Sequence, residues 1–298
     1  MCGIVGLLLK QPALRPRLGE LMVPMLIGMT ERGPDSSGMA VFTESVAGDL
    51  RKFSLYCAQP GFDWRLLEIG LVEWLGESWF QIRANHCILT ATVEPGALRE
   101  WLAGQYPAVH LLSVGRSIDL YKDVGLPREV AERYGFGQLV GTHLVGHTRM
   151  ATESAVTPEN AHPYTAGEDW CLVHNGSLAN PGSLRRKLEK LGERFESDCD
   201  TESACRYLHW RQSSGDSLET AIDHAFRDFD GFFTFLMGTR DKLALVRDPF
   251  ACKPAVVAES EDYVAIASEF RSLAHLPGIR HATVFEPKPA EVYSWTAQ

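Results

Sequence analysis

The chain opens Met1-Cys2-Gly3-Ile4-Val5-Gly6, and the reading of these six residues decides the fold. A cysteine in second position is small enough for the initiator methionine to be removed, which leaves Cys2 as the N-terminal residue. Cys2 then holds two reagents: a thiol nucleophile with an unperturbed pKa of about 8.5 and an α-amine of roughly 7.7–8.0, a base near physiological pH. Ile4, Val5, Leu7, Leu8 and Leu9 follow as a short apolar run of strand type. Such a strand buries this end of the chain in a sheet and makes it a rigid place for chemistry. The hexapeptide alone is also readable as a small residue beside a start codon, so the motifs downstream have to choose.

The chain has 298 residues, of which 45% are hydrophobic and 22% charged. That is the composition of a soluble globular protein with material for one large core or two smaller ones. A formal net charge of −9, with no basic stripe, argues against nucleic acid and against an anionic membrane surface as partner. Seven cysteines at positions 2, 57, 87, 171, 199, 205 and 252 form an odd set without repeated spacing. The N-terminus lacks the basic-then-apolar pattern of a secretory signal, so reduced thiols in a cytoplasm are expected. No run approaches eighteen apolar residues, so no membrane span is expected.

Beyond the first strand, residues 17–31 carry apolar side chains at helical spacing, with Pro24 as a kink or first-turn residue. The helix delivers the chain into Arg32-Gly33-Pro34-Asp35-Ser36-Ser37-Gly38, a turn-rich stretch before a strand at 39–42. Residues 45–137 read as an α/β insertion: a strand at 50–58, a helix at 64–74, an alternating strand at 80–93, a helix at 95–102, two short strands to 120, and a short helix closed by glycines at 125–137. A strand at 139–145 leads into Gly146-His147-Thr148-Arg149-Met150-Ala151-Thr152, then a loop to Asn160-Ala161-His162-Pro163. A strand at 170–173 ends at His174-Asn175-Gly176, and a basic amphipathic helix covers 184–191. Asp200 or Thr201 is positioned to cap a further helix. From Gly231 onward the chain is a series of short strands, at 232–237, 243–247, 254–257, 263–267 and 290–293.

Three signals fall to simpler readings. Gly215-Asp216-Ser217-Leu218 spells an esterase string, but Ser217 stands where a helix N-cap belongs. Gly135-Phe136-Gly137 through Gly141 misses the dinucleotide fingerprint and precedes a strand instead of following one. Cys171 and His174 lack a second pair with ligand spacing, so a structural zinc is not expected.

Read in order, Met1 to Gly6, Arg32 to Gly38, Gly146-His147-Thr148-Arg149, Asn160-Ala161-His162-Pro163, His174-Asn175-Gly176 and Asp200-Thr201-Glu202 resemble the ordered signature of class II glutamine amidotransferase domains, the N-terminal-nucleophile glutaminases. Val246-Arg247-Asp248-Pro249 and Ala267-Ser268-Glu269 are similar to the late strand pair of that family. The wording from Thr148 to Ser154 and the long insertion most resemble stand-alone glutaminase subunits of the glutamate synthase or N-methylglutamate synthase type. The chain departs from the sugar-amidotransferase members at Met150 and Glu153, where those carry Trp and His.

The resemblance implies an α+β fold, a four-layer αββα sandwich of the N-terminal-nucleophile type spanning 2–298, with the insertion at 45–137 inside it. It implies hydrolysis of L-glutamine to glutamate and ammonia through a thioester on Cys2, with no metal and no organic cofactor. Hydrolysing a side-chain amide needs a nucleophile, a base, an oxyanion hole and a clamp on the amino-acid end. Cys2 supplies the first two. The side-chain amide of Asn175 and the N–H of Gly176 suit the developing oxyanion, such donors being worth ~3–4 kcal/mol each. In isolation Asn175-Gly176 would be a type I′ hairpin turn; its place in the ordered set argues otherwise. Arg149 offers a planar fork for the α-carboxylate and Asp200 a carboxylate for the α-ammonium. By resemblance Thr152 and His162 line the same substrate-binding pocket, and Arg32 and Asp35 support it from the loop beside the nucleophile.

The chain carries no second catalytic domain to consume ammonia, so the expected partner is a flavin-containing, glutamate synthase-like subunit in a hetero-oligomer. The insertion, which brings no catalytic residue, is the candidate docking surface, or else an enlargement of the core. The rival readings are an independent amidase acting on a γ-glutamyl compound and a catalytically idle regulatory subunit.

Overall fold

The apolar run after Cys2 is the strand Gly3–Leu9, buried along its whole length. The computed structural model describes residues 2–151 and 155–297. Gly3–Leu9 lies at the centre of a seven-stranded sheet, between His143–Arg149 and Tyr263–Ala267. Its registers are antiparallel on both sides, with Ile4 opposite His147 and Val5 opposite Ala267. A strand covered on both faces has to be apolar at every position, which is why five aliphatic residues follow Cys2 and Gly3.

The two faces of this strand fill two different cores. Val5, Leu7 and Leu9 pack with Leu18, Met22 and Met25 of the helix Leu18–Ile27. Ile4 and Leu8 point the other way, to Val173, Leu236 and Leu245 of a second sheet. That sheet has five antiparallel strands in the order Val292–Thr296, Lys242–Arg247, Gly231–Thr239, Trp170–Leu178 and Tyr164–Thr165. Its outer face is closed by the helices Pro181–Glu189, Asp200–Ser213 and Leu218–Asp228. The order helix, sheet, sheet, helix is the four-layer αββα sandwich expected from the sequence.

A third sheet, of four antiparallel strands, occupies much of the expected insertion. Ser78–Arg83, His86–Ala91, Arg51–Cys57 and Val109–Gly115 lie in that order. With the helices Trp64–Leu75 and Pro95–Gln105 they enclose a core of their own around Phe53, Leu67, Leu89 and Leu102. The 45–137 segment does not hold together as one unit. Ile118–Val124 pairs with Ser36–Phe42 and forms the edge of the seven-stranded sheet, and the helix Pro127–Arg133 packs on that sheet. The single strand expected at 80–93 is a hairpin, turned at Ala84 with φ 51°.

Local signals hold at several ends. Ser217 accepts the Thr220 N–H at 3.1 Å as the N-cap of Leu218–Asp228, the role preferred above over an esterase nucleophile. Pro24 lies inside the helix Leu18–Ile27. Neither Asp200 nor Thr201 caps the helix they begin; Cys199 stands at that position without a side-chain cap, because both candidates turn toward other partners. Among the described residues no helix is long and apolar enough to cross a membrane.

Candidate active site

Cys2 sits just ahead of the central strand, half-buried at a cleft of ≈ 360 Å³ that is also lined by Arg149, His162, Gly176, Asp200 and Thr201. Residues from five separate parts of the chain meet there because the two sheets lie face to face. Cys2 precedes the first strand, Arg149 ends a neighbouring strand, Gly176 lies on the second sheet, and Asp200 and Thr201 open the helix behind that sheet.

The peptide that carries Cys2 is held from behind. Arg32 Nε donates to the Cys2 carbonyl oxygen at 2.9 Å, and its Nη1 pairs with Glu269 at 2.8 Å. Ile4 N–H donates to Ser268 Oγ at 3.0 Å, and Ser268 N–H returns a bond to the Ile4 carbonyl at 3.0 Å. The Cys2 thiol faces the Met150 carbonyl at 3.9 Å. Asp35 accepts the Ala151 N–H at 2.8 Å and so ties down the backbone at Ala151. Arg32 and Asp35, grouped above with the substrate-binding residues, are not among the residues that line the cleft: Arg32 binds the Cys2 carbonyl and the Glu269 carboxylate, and Asp35 the Ala151 N–H. Thr152 and Glu153 lie outside the described residues.

Asn175-Gly176 is not a hairpin turn. Both residues are inside the strand Trp170–Leu178, with Asn175 opposite Thr234 and Gly176 opposite Phe233. Asn175 is 2% exposed and its Nδ2 has no partner among the described residues, a buried donor left over for something else. A Cβ at Gly176 would meet the Phe232 carbonyl oxygen at 2.1 Å and His174 Nε2 at 2.4 Å, so close packing requires glycine here. Arg149, 5% exposed, reaches the Ala155 carbonyl through Nη1 at 3.2 Å.

Asp200 accepts the Leu178 N–H at 2.9 Å and the Thr201 hydroxyl at 3.2 Å. Burial alone would raise its carboxyl. The nearby His174 imidazole and these two donors outweigh burial and hold it well below the ordinary carboxylate range. At 3.8 Å, His174 Nδ1 is beyond hydrogen-bond reach of Asp200 and acts across space. His162, His147 and His174 form a buried cluster at the wall of the cleft, the first two with rings stacked 4.1 Å apart. Burial pushes His147 down to about 3. His162 is also pressed well below the imidazole range, by burial first and then by the neighbouring His147 and His174.

The structure thus gathers Cys2, Arg149, His162, Gly176 and Asp200 in one cleft, with Asn175 buried on the same strand as Gly176. Sequence reasoning quoted His174 inside a motif and read Thr201 only as a candidate helix cap, although both line the cleft. The signal was their adjacency to Asn175 and Asp200.

Comparison with known proteins gives the same reading. The family of glutamine amidotransferase domains matches residues 147–275. The glutamine amidotransferase-like protein GlxB of Rhizobium meliloti (strain 1021) is 46% identical over 299 residues, covering 100% of this chain and 99% of the relative. Among solved structures, an allosteric regulatory enzyme of purine biosynthesis aligns over 98% of this chain with a TM-score of 0.64 at 18% identity. Glutamine phosphoribosylpyrophosphate amidotransferase from B. subtilis aligns over 100% with a TM-score of 0.61, also at 18% identity. This chain spans 46% and 49% of those two longer chains, and at that identity they speak for the fold, an N-terminal-nucleophile sandwich. With a near full-length relative at 46% identity and the ordered motifs gathered at one cleft, the chain belongs to the class II glutamine amidotransferases.

Proposed function

We propose that the chain is a glutaminase subunit that hydrolyses L-glutamine to glutamate and ammonia and hands the ammonia to a partner synthase. The observation that carries this reading is the meeting of Cys2, Arg149 and Asp200 at one cleft: a thiol, a guanidinium and an ionised carboxylate, matched to the amide, α-carboxylate and α-ammonium of one amino acid. In this reading the α-amine of Cys2 takes the thiol proton as sulfur attacks the side-chain carbonyl of glutamine. The unpartnered Nδ2 of Asn175 and the Gly176 N–H stabilise the oxyanion. The carbon–nitrogen bond breaks, the α-amine returns its proton to the departing ammonia, and a γ-glutamyl thioester remains. Water, deprotonated by the same amine, then hydrolyses the thioester to glutamate and frees the thiol. Thr152 and His162 complete the substrate pocket, and Arg32 and Asp35 hold the backbone around it.

The acceptor in this proposal is a flavin-containing, glutamate synthase-like subunit, or its N-methylglutamate synthase counterpart. Ammonia released into neutral water is mostly protonated and no longer nucleophilic, which favours direct delivery. The four-stranded sheet of residues 51–115 is the proposed docking unit. A reducing cytoplasm suits the described cysteines, all of which are free thiols.

The test is a glutaminase assay on protein whose intact mass shows Met1 removed, beside protein that keeps an N-terminal tag. The processed chain should turn over glutamine and the tagged chain should not. Normal turnover by the tagged protein, with no free α-amine on Cys2, would sink the mechanism. Adding the co-purified synthase chains should raise the rate; a full rate in the isolated chain, indifferent to partners, would instead favour an independent amidase.

A further inference from the structure

One hydroxyl stands at the junction of the buried cluster at the wall of the cleft. Thr201 Oγ1 lies 2.8 Å from His162 Nε2, 3.0 Å from His174 Nδ1 and 3.2 Å from Asp200 Oδ1. A threonine hydroxyl has one proton to give and two lone pairs to fill. An ionised carboxylate only accepts, so the proton goes to Asp200 Oδ1. Both lone pairs then have to be filled by imidazole N–H groups, which fixes His162 as the Nε2–H tautomer and His174 as the Nδ1–H tautomer. The third ring follows: His147 Nε2 faces the His174 carbonyl oxygen at 3.0 Å, and a carbonyl only accepts, so His147 is also the Nε2–H tautomer.

An independent observation agrees with this assignment. The nitrogens it leaves without a proton are His162 Nδ1, His174 Nε2 and His147 Nδ1, and these three are buried without a hydrogen-bond partner among the described residues. A bare lone pair without a partner costs less than a buried N–H aimed at nothing. His174 Nε2 is also the atom that crowds Gly176, 2.4 Å from where a Cβ would stand. The ring that Thr201 orients is thus the one packed under the glycine of the cleft.

We propose that Thr201 is a positioning residue: its hydroxyl, donating to Asp200 and accepting from His162 and His174, sets the carboxylate that receives the α-ammonium and the imidazole that backs Gly176. The inference rests on the glutaminase reading for its kinetic consequence but not for its hydrogen-bond pattern. Thr201 itself is 1% exposed and acts through Asp200 and His174.

Two measurements test it. Long-range proton–nitrogen correlation spectra of the full chain with 15N-labelled histidine should show a proton on Nε2 of His162 and His147 and on Nδ1 of His174. The opposite tautomer at His162 or His174 would overturn the proposal whether or not the protein hydrolyses glutamine. In the assay, Thr201→Val keeps the shape and loses the hydroxyl; KM for glutamine should rise about 10- to 100-fold, the scale of a lost hydrogen bond to a charged group, with kcat changed far less. Thr201→Ser, which keeps the hydroxyl, should return KM to near the starting value. A Thr201→Val protein with unchanged KM, or equal losses in the valine and serine variants, would show that Thr201 only fills space. If the parent chain hydrolyses no glutamine while the spectra show the assigned tautomers, the proposed function fails and the hydrogen-bond network stands.

Discussion

Arg32 Nε donates to the Cys2 carbonyl oxygen at 2.9 Å, so a guanidinium thirty residues away fixes the peptide that carries the Cys2 thiol. Glu269 holds the other side of that guanidinium at 2.8 Å. Arg32 lowers the Glu269 carboxyl, first through this hydrogen bond, against the opposing effect of burial.

Replacing Arg32 by Ala should therefore loosen Cys2 without touching the glutamine clamp. Charged hydrogen bonds of this kind are worth about 1.5–3 kcal/mol. Turnover and the rate at which a glutamine-like electrophile alkylates Cys2 should both drop roughly tenfold or more, with KM little changed. An Arg32→Ala protein alkylated at the parental rate would show that the nucleophile does not depend on this support.

The clamp and the oxyanion hole should separate kinetically. In the proposed mechanism Arg149→Ala and Asp200→Asn would remove contacts made in both ground and transition states, so they should raise KM more than they lower kcat. Asn175→Ala should do the reverse, lowering kcat about 10²–10³-fold, because its donor matters most as the oxyanion forms. Steady-state kinetics of the three variants decide it, and three equal losses confined to kcat would contradict the assignment.

Buried neutral histidines make the fold sensitive to acid. Burial pushes His86 and His147 down to about 3 and His143 to about 4. In the unfolded chain the same rings take up protons near pH 6.5. Between those values the unfolded state binds more protons, so stability is full above pH 6.5 and is lost as pH falls toward the folded values. The loss is at most about 1.4 kcal/mol per pH unit for each histidine. Urea denaturation at pH 7.5 and 5.5 should show a clearly lower midpoint at the acid end. Coincident midpoints would mean that these rings are charged in the folded protein or reached by water.

The ordered motifs made much of this site legible, because each places a reactive side chain at the end of a strand or the start of a helix, where a sheet sandwich exposes it. Arg149, Gly176 and Asp200 came together at Cys2 as the motif order implied. Thr201 was legible only as a candidate helix cap, because its contacts with His162, His174 and Asp200 exist only once the strand Trp170–Leu178 and the helix Asp200–Ser213 lie side by side, and nothing local marks a hydroxyl with three partners. Asn175-Gly176 shows the opposite failure of local rules: its preference for a turn is overridden by pairing with Thr234 and Phe233. The hairpin at Ser78–Arg83 and His86–Ala91 was read as one strand because its turn, at Ala84 and Asn85, carries neither glycine nor proline.

Phe42 stands opposite Ile118 across the edge pair of the seven-stranded sheet, and the four-stranded sheet hangs from that pair like a cassette in the loop of a hairpin. Since closing a longer loop costs little extra entropy, the cassette can be enlarged, exchanged or lost without shifting the register that places Cys2. Several buried polar groups tie it down: Asp169 accepts the N–H groups of Arg116, Ser117 and Ile118 and pairs with Arg240, Lys52 pairs with Asp119, and the Leu120 N–H donates to Ser54 Oγ at 2.9 Å. A graft of a different cassette has to keep the three backbone donors that satisfy Asp169 and supply new partners for the Asp119 carboxylate and the Leu120 N–H, which Lys52 and Ser54 satisfy from inside the cassette.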